Sequence, residues 1–286
     1  METKFRIILT LFFSIVLMGC GAESQNTPTL STSSTSSTSS ASSTSSASSV
    51  ISSSEIPAVI QNFGFILNSF DTVTGTSGDL KISGVQVPIA PESDPNKAGL
   101  DLDNRYLMSM YGNVEGVSKQ RDVQISVYLP LGTAVRSMIN GVVCDIPTLY
   151  SLDRSIRIAP IGTPCFPEGE GGAQVLFEHE HVMNPLVKYG DSVVAGQQIA
   201  EVSDYRKDWK TKGMGIVELG VFFSNNGQPW HACPLRFIDP AIKTELMNKL
   251  NTALAAWESE LQDSTLYDEN SNYILCEVEE DLPDPQ

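Results

Sequence analysis

The residues best suited to chemistry in this chain are two histidines two positions apart and interleaved with carboxylates, Glu178-His179-Glu180-His181. Along an extended strand alternate side chains leave on the same side, so this spacing predicts His179 and His181 together on one face. Such an imidazole pair can hold a divalent metal if further ligands come from neighbouring strands; otherwise it lines a groove as hydrogen-bonded polar residues. The third histidine, His231, stands beside Trp230 and near Cys233, and reads as structural or surface. Cysteines form the other reactive set. Beyond Cys20 there are Cys144, Cys165, Cys233 and Cys276, an even number that allows three pairings in an oxidising compartment. The sequence-local pairing, Cys144–Cys165 and Cys233–Cys276, is favoured. On the chain-entropy model its first bridge stabilises by roughly 3 kcal/mol. No two cysteines form a CxxC pair, which speaks against a cysteine zinc site.

The oxidising compartment is inferred from the start of the chain. Lys4 and Arg6 precede an apolar run from Ile7 to Met18, too short to suit a membrane span and laid out as a secretory signal peptide. Its end, Leu17-Met18-Gly19-Cys20, resembles a bacterial lipobox, which implies diacylation of Cys20 and a signal peptide over residues 1–19. Gly21 is not Asp, and in Gram-negative sorting that resemblance implies the outer membrane. Residues 20–55, nearly pure Ser, Thr and Ala from residue 31 to 54, offer too little apolar area to offset chain entropy and are expected to be a flexible tether. A linker of that length reaches roughly 30–35 Å root-mean-square.

The elements that must position the histidines follow from residue 56 onward. Short apolar runs punctuated by Gly, Pro, Asn and Asp predict strands over 63–70, 80–87, 123–129, 134–144, 155–159, 174–181, 198–202 and 216–223. Asp239-Pro240 offers a helix cap and a first-turn proline. Ile242, Leu246, Leu250, Leu254, Trp257 and Leu261 then recur at helical spacing, one apolar stripe made for docking on a sheet. The expected fold is mainly β, an antiparallel sheet with one C-terminal amphipathic helix. Residues 56–121 form an N-terminal extension of the body, 122–240 the β-domain, and 241–286 the helix and an acidic, solvated tail. Neither that tail nor Asp101-Leu102-Asp103-Asn104 has EF-hand spacing.

Three segments in order carry a family resemblance. Tyr128-Leu129-Pro130-Leu131-Gly132-Thr133-Ala134-Val135 runs on to Asn140-Gly141-Val142-Val143; His181 precedes the stretch from Pro185 through Lys188-Tyr189-Gly190-Asp191 to Ala200; and Val217-Glu218-Leu219-Gly220-Val221-Phe222 precedes Asn226-Gly227-Gln228-Pro229. Over residues 122–229 they resemble the lysostaphin-type zinc endopeptidases of peptidoglycan, which implies a duplicated hybrid β-motif. Biotinyl and lipoyl carriers share the middle segment, but they carry a swinging lysine at a hairpin tip, and Lys188 lies within Val-Lys-Tyr-Gly-Asp instead. The resemblance implies zinc ligands at the positions of Asp122, Ser126 and Glu218, and catalytic histidines at those of Ile216 and His181. A catalytic zinc needs three protein ligands and an open water position. Here one ligand position has no usable side chain, two carry carboxylates, and one catalytic position is apolar. Two readings follow. In one the groove is a relic; in the other it is rebuilt around His179, His181, Glu218 and Asp122 as a site for zinc or another divalent metal.

Net charge narrows the partners. Eighteen Lys and Arg against 34 Asp and Glu leave a formal charge of −16. Nucleic-acid affinity rests on Lys and Arg neutralising phosphates, so no nucleic-acid partner is expected. The same acidity argues against electrostatic capture of anionic wall polymer. The expectation is an exported envelope lipoprotein, membrane-bound through its lipid anchor, with no required cofactor. Its peptidase-like domain is expected to bind or regulate an envelope protein or peptidoglycan. The other reading is a metal-dependent wall hydrolase with a non-standard site.

Overall fold

A computed structural model describes residues 52–88, 105–113, 121–165, 175–225, 228–267, 276 and 280–284. Cys20, the signal peptide and nearly all of the tether lie outside the described residues, as do residues 101–104. Among those described, thirteen strands occur: β1 Thr76–Ser77, β2 Leu80–Lys81, β3 Met108–Ser109, β4 Ile125–Pro130, β5 Ala134–Arg136, β6 Gly141–Asp145, β7 Arg154–Pro160, β8 Val175–Met183, β9 Ser192–Val193, β10 Gln198–Val202, β11 Met214–Asn225, β12 Gln228–Ala232 and β13 Leu282–Pro283. Two helices accompany them, the single-turn α1 Lys207–Lys210 and the long α2 Pro240–Leu261. The fold is mainly β, and every strand pairing is antiparallel.

β11 organises the large sheet. One of its edges pairs with β8 from Glu218 to Phe223. The other pairs first with β4, from Met214 to Leu219, and then with β12, from Val221 to Asn225. β8 continues the sheet through β7, β6 and β9, while β10 joins β8 to β5. Alternation explains why these segments extend. In β4, Ile125, Val127 and Leu129 are wholly buried beneath the sheet, while Ser126 points to the other face.

Helix α2 forms as its sequence predicts. Asp239 accepts from the Ala241 amide at 2.9 Å, satisfying one of the orphan donors of the first turn. Leu246, Leu250, Ala253, Leu254 and Trp257 are its buried face, and each large apolar side chain there stabilises by about 1.5–3 kcal/mol. Trp257 also donates its indole N–H to the Arg105 carbonyl at 2.7 Å. Both favoured disulfides are present, Cys144–Cys165 with 5.2 Å between Cα atoms and Cys233–Cys276 with 5.9 Å.

Five expectations need correction. Residues 63–70 are not a strand. Phe63, Phe65 and Leu67 do alternate into the core, but Gly64 adopts φ +76°, and its carbonyl bonds only to Arg136 while that of Ile66 bonds to Asp79. The strand expected over 80–87 ends at Lys81, ahead of the turn at Gly84, φ +72°. The run 134–144 splits into β5 and β6, which pair with different strands. The acidic end is not wholly solvated, because β13 pairs with β12, Asp281 meets Arg236 at 3.0 Å and Asp284 meets His231 at 3.0 Å. At the other boundary Ser52–Glu55, expected as tether, form a capped 3-10 turn whose buried Ser53 accepts from Arg236.

Candidate functional site

Where β4, β11 and β8 run side by side, Glu218 faces Ser126 on one side and Glu180 on the other. These three side chains form one polar row across the sheet. One step further along β11, Gly220 faces Glu178. A Cβ at Gly220 would stand 2.9 Å from Gln124 Cγ, so only glycine lets Gln124 cross the strand and donate to Glu178 Oε2 at 3.0 Å. Glu178 is thereby fully engaged, since its Oε1 also accepts from Arg157 Nε at 2.6 Å and Ser155 Oγ at 3.1 Å.

The opposite face of the same strands is core. Ile125, Leu219 and His179 are neighbours there, all with no exposure. His179 Nε2 accepts from the Met138 amide at 3.2 Å, and its Nδ1 has no hydrogen-bond partner. Burial pushes its imidazole down to about 4, so it is a neutral core residue at ordinary pH.

His181 does not share that face, contrary to the strand alternation. Ile156 pairs with His179 and Arg154 with Val182, so β8 carries an extra residue between them. This is a β-bulge, and His181 sits in it at φ +52°. A bulge re-aims the side chain that it carries. The imidazole thus turns to the polar row, where Nε2 lies 3.6 Å from Glu218 Oε2. On its other edge Nδ1 lies 3.0 Å from Asp153 Oδ2 and 3.3 Å from Ser151 Oγ. Tyr205 stacks on the ring at 4.1 Å between centroids, and the exposed Tyr150 meets it edge-on at 6.0 Å.

The electrostatics separate the two ends of this imidazole. Burial works to raise the Asp153 carboxyl, but hydrogen bonds from His181, Ser151 and Ser203 outweigh it and hold that carboxyl below its ordinary range. An ionised Asp153 accepts the Nδ1 proton, and the ring's other nitrogen, Nε2, is the one that faces Glu218. Glu180 behaves in the opposite way. Burial, followed by the carboxylates of Glu178 and Glu218, pushes its carboxyl up to about 9. Ligand atoms of Glu180, His181 and Glu218 all lie within 4.8 Å of one another.

The positions at which the resemblance implies zinc do not fit that metal. Ser126 Oγ donates to Glu218 Oε1 at 3.0 Å, so two of the three ligand positions are bonded to each other, one of them through a hydroxyl. Asp122 lies outside the Glu180–His181–Glu218 group and accepts from the Ser109 hydroxyl. Ile216, at the place of a catalytic histidine, is buried and apolar. Of the four candidate ligands, then, His181 and Glu218 are brought together, while His179 and Asp122 stand apart. His231 is buried and paired with Asp284.

Sequence reasoning missed Asp153, Tyr205 and the ligand geometry of Glu180. The available signals were thin: Asp153 lies in a short Ser-Leu-Asp turn, and Glu180 is the residue between the two histidines.

No family model matches the chain, and no curated protein sequence does. Among solved structures, the chain is similar to the lysostaphin solution structure at 17% identity and TM-score 0.32, over 41% of this chain and 43% of that one. The catalytic domain of lysostaphin from Staphylococcus simulans matches at 18% identity and TM-score 0.34, over 47% and 92% of the two chains. A variant of the catalytic domain of the prophage-encoded protein EnpA from Enterococcus faecalis matches at 21% and 0.32, over 44% and 85%. The chain thus spans only part of lysostaphin, 43% of the chain in the solution structure and 62% of the chain in another solved structure. At these TM-scores the likeness carries no argument about chemistry, which rests on the residues described above.

Proposed function

We propose that this chain is an exported, lipid-anchored protein of the cell envelope. Its β-domain is a lysostaphin-like domain that has lost the family's zinc chemistry and serves as a binding or regulatory module. The observation that carries this reading is the hydrogen bond between Ser126 and Glu218. Two side chains that would have to converge on zinc satisfy each other instead, and buried Ile216 cannot donate to a developing oxyanion. Loss of one such donor costs about 10²–10³ in rate even with a metal in place. An envelope protein is the favoured partner because the chain is acidic, with formal charge −16; peptidoglycan is the second candidate.

A metal-dependent wall hydrolase with a non-standard site is the second reading. It is favoured by one arrangement, Asp153 orienting His181 toward Glu218, which is the geometry of a general base held in one tautomer. Release of muropeptides from purified sacculi by the full-length chain in detergent, with zinc added, separates the two. The binding-module reading expects no release from either the wild type or a His181→Ala, Glu218→Ala double variant. Cleavage by the wild type that disappears in the double variant overturns it.

A further inference from the structure

We propose that the outer edge of β12 is a binding site for an extended acidic segment of a partner protein, and that residues 280–284 of this chain are its resident occupant. The site lies at the end of the sheet, in the order β13-β12-β11-β8. It goes beyond the function proposed above, because it is separate from the groove and holds whether or not the groove binds anything.

The first observation is the edge itself. One side of β12 pairs with β11 along its whole length. The other side meets the tail at two residue pairs, Trp230 with Pro283 and His231 with Leu282, and the Pro229 carbonyl accepts from the Asp284 amide at 3.2 Å. Such an edge offers backbone donors and acceptors to any extended chain that reaches it.

The second observation is charge. Arg236 Nη1 meets Asp281 Oδ1 at 3.0 Å, His231 Nε2 meets Asp284 Oδ1 at 3.0 Å, and Arg121 Nη1 meets Glu280 Oε2 at 3.3 Å. In a chain of formal charge −16, two guanidiniums and an imidazole along one edge reverse the sign locally. Charges more than about 8 Å away are largely screened at physiological salt, so the nearby cations decide what docks here. Between the acids Leu282 is 8% exposed and packs into the core. The occupant therefore defines the ligand class: one apolar side chain in an extended segment, flanked by carboxylates.

The seat is held from behind, and the tail only lightly. Arg236 also donates to Ser53 Oγ at 3.2 Å and lies over the Phe237 ring at 5.5 Å. Phe222 meets His231 edge-on at 5.6 Å, and the buried Tyr111 hydroxyl donates to the His231 carbonyl at 3.0 Å. A seat ordered by its own neighbours costs little to reoccupy. On the tail, by contrast, the side chains of Glu280 and Asp284 are about half exposed. The Asp284 amide bonds inward, so alternation turns the Pro283 nitrogen outward, where it has no N–H to extend the sheet. The tail thus covers the edge without offering a ladder of its own. Cys276 is bonded to Cys233, next after the end of β12, so a displaced tail stays beside its seat at high effective concentration and can return.

The test is fluorescence anisotropy with the full-length, disulfide-bonded chain in detergent. One labelled probe is Glu-Glu-Asp-Leu-Pro-Asp-Pro-Gln, the sequence of residues 279–286. A second, foreign probe of the same class is Gly-Glu-Asp-Ile-Thr-Asp-Ser-Gly. Leu282→Asp ejects the tail's apolar anchor and is expected to bind one equivalent of either probe, about tenfold or more tighter than the wild type, whose seat is filled from within. Adding Arg236→Gln, or replacing both aspartates of a probe by asparagine, should weaken this binding about tenfold or more. Circular dichroism confirms folding; if Leu282→Asp does not fold, the Asp281→Asn, Asp284→Asn double variant, which keeps the anchor, supplies the same comparison. Absence of saturable binding to a folded tail-released variant overturns the proposal. So does binding that neither Arg236→Gln nor the asparagine probes weaken. Binding of the chain's own peptide but not of the foreign one also overturns it, since the edge would then serve tail exchange between copies of this chain. Muropeptide release reads the groove separately, so failure of one reading leaves the other intact.

Discussion

His179 and His181 are two residues apart on one strand, yet they belong to different chemical regions. On the core face of β4, β11 and β8, His179 lies among Ile125 and Leu219 without exposure, and burial keeps it neutral. On the other face His181 stands among Asp153, Glu180 and Glu218, where one nitrogen is held and the other is aimed. The difference shows that residue type does not make a site. A lone imidazole in a packed core is a polar group tolerated at a cost; the same group beside carboxylates is a ligand or a base.

The comparison breaks most readily on the core side. Leu219→Ala removes a wholly buried side chain that packs against Gly64, and is expected to cost about 2–5 kcal/mol in urea unfolding. Its sequence neighbour on the groove face, Glu218→Gln, keeps both shape and an acceptor for Ser126 and should change stability by less than about 1 kcal/mol. Comparable effects from the two would mean that the faces are not energetically distinct.

A second prediction uses acid. The folded-state value for His179 is depressed from 6.5 to about 4. Below pH 6.5 the unfolded chain takes up a proton that the folded chain refuses, so this stabilising term is complete above pH 6.5 and lost as pH falls toward 4. About 3 kcal/mol is expected to disappear over that window. His179→Phe should flatten this part of the stability profile in EDTA-treated protein. An unchanged acid slope in that variant would place the acid sensitivity elsewhere.

A third prediction sharpens the contrast on the groove side. Gly220→Ala forces a methyl to within 2.9 Å of Gln124 Cγ, displacing the donor to Glu178. A loss of about 1–3 kcal/mol is expected, set by the buried Glu178 oxygen left without its partner. Gly220→Ala combined with Gln124→Ala should recover part of the steric cost but not the hydrogen bond, which a double-mutant cycle can measure.

Much of the scaffold was legible because its causes are local. Strands β7, β8, β10 and β11 lie close to their predicted spans, since alternating or continuous apolar runs bounded by turn residues have few other ways to hide their side chains. Helix α2 starts at Pro240 behind its Asp239 cap, as the chain reads. Both disulfides join consecutive cysteines of the body, 21 and 43 residues apart. The misreading at residues 63–70 has a clear origin. Burial alternates at Phe63, Phe65 and Leu67 as in a strand, but alternation reports where side chains go and not whether a partner strand exists. The tail misled in the same manner, because its acidic residues mask Leu282, which is 8% exposed and supports β13.

By itself the sequence determined the residue inventory, the mainly β character and the capped helix. Each of those depends on residue chemistry or on spacing over a few positions. The tertiary structure alone decided that Glu180 joins His181 while His179 turns away, and that Asp153 arrives behind the ring. Those outcomes hang on one extra residue in β8, and a bulge exists only relative to the partner strand β7 whose register it interrupts. A period-two pattern carries no trace of a register set by a strand some twenty residues distant, so the face on which a histidine lands is a property of the pairing and not of the strand.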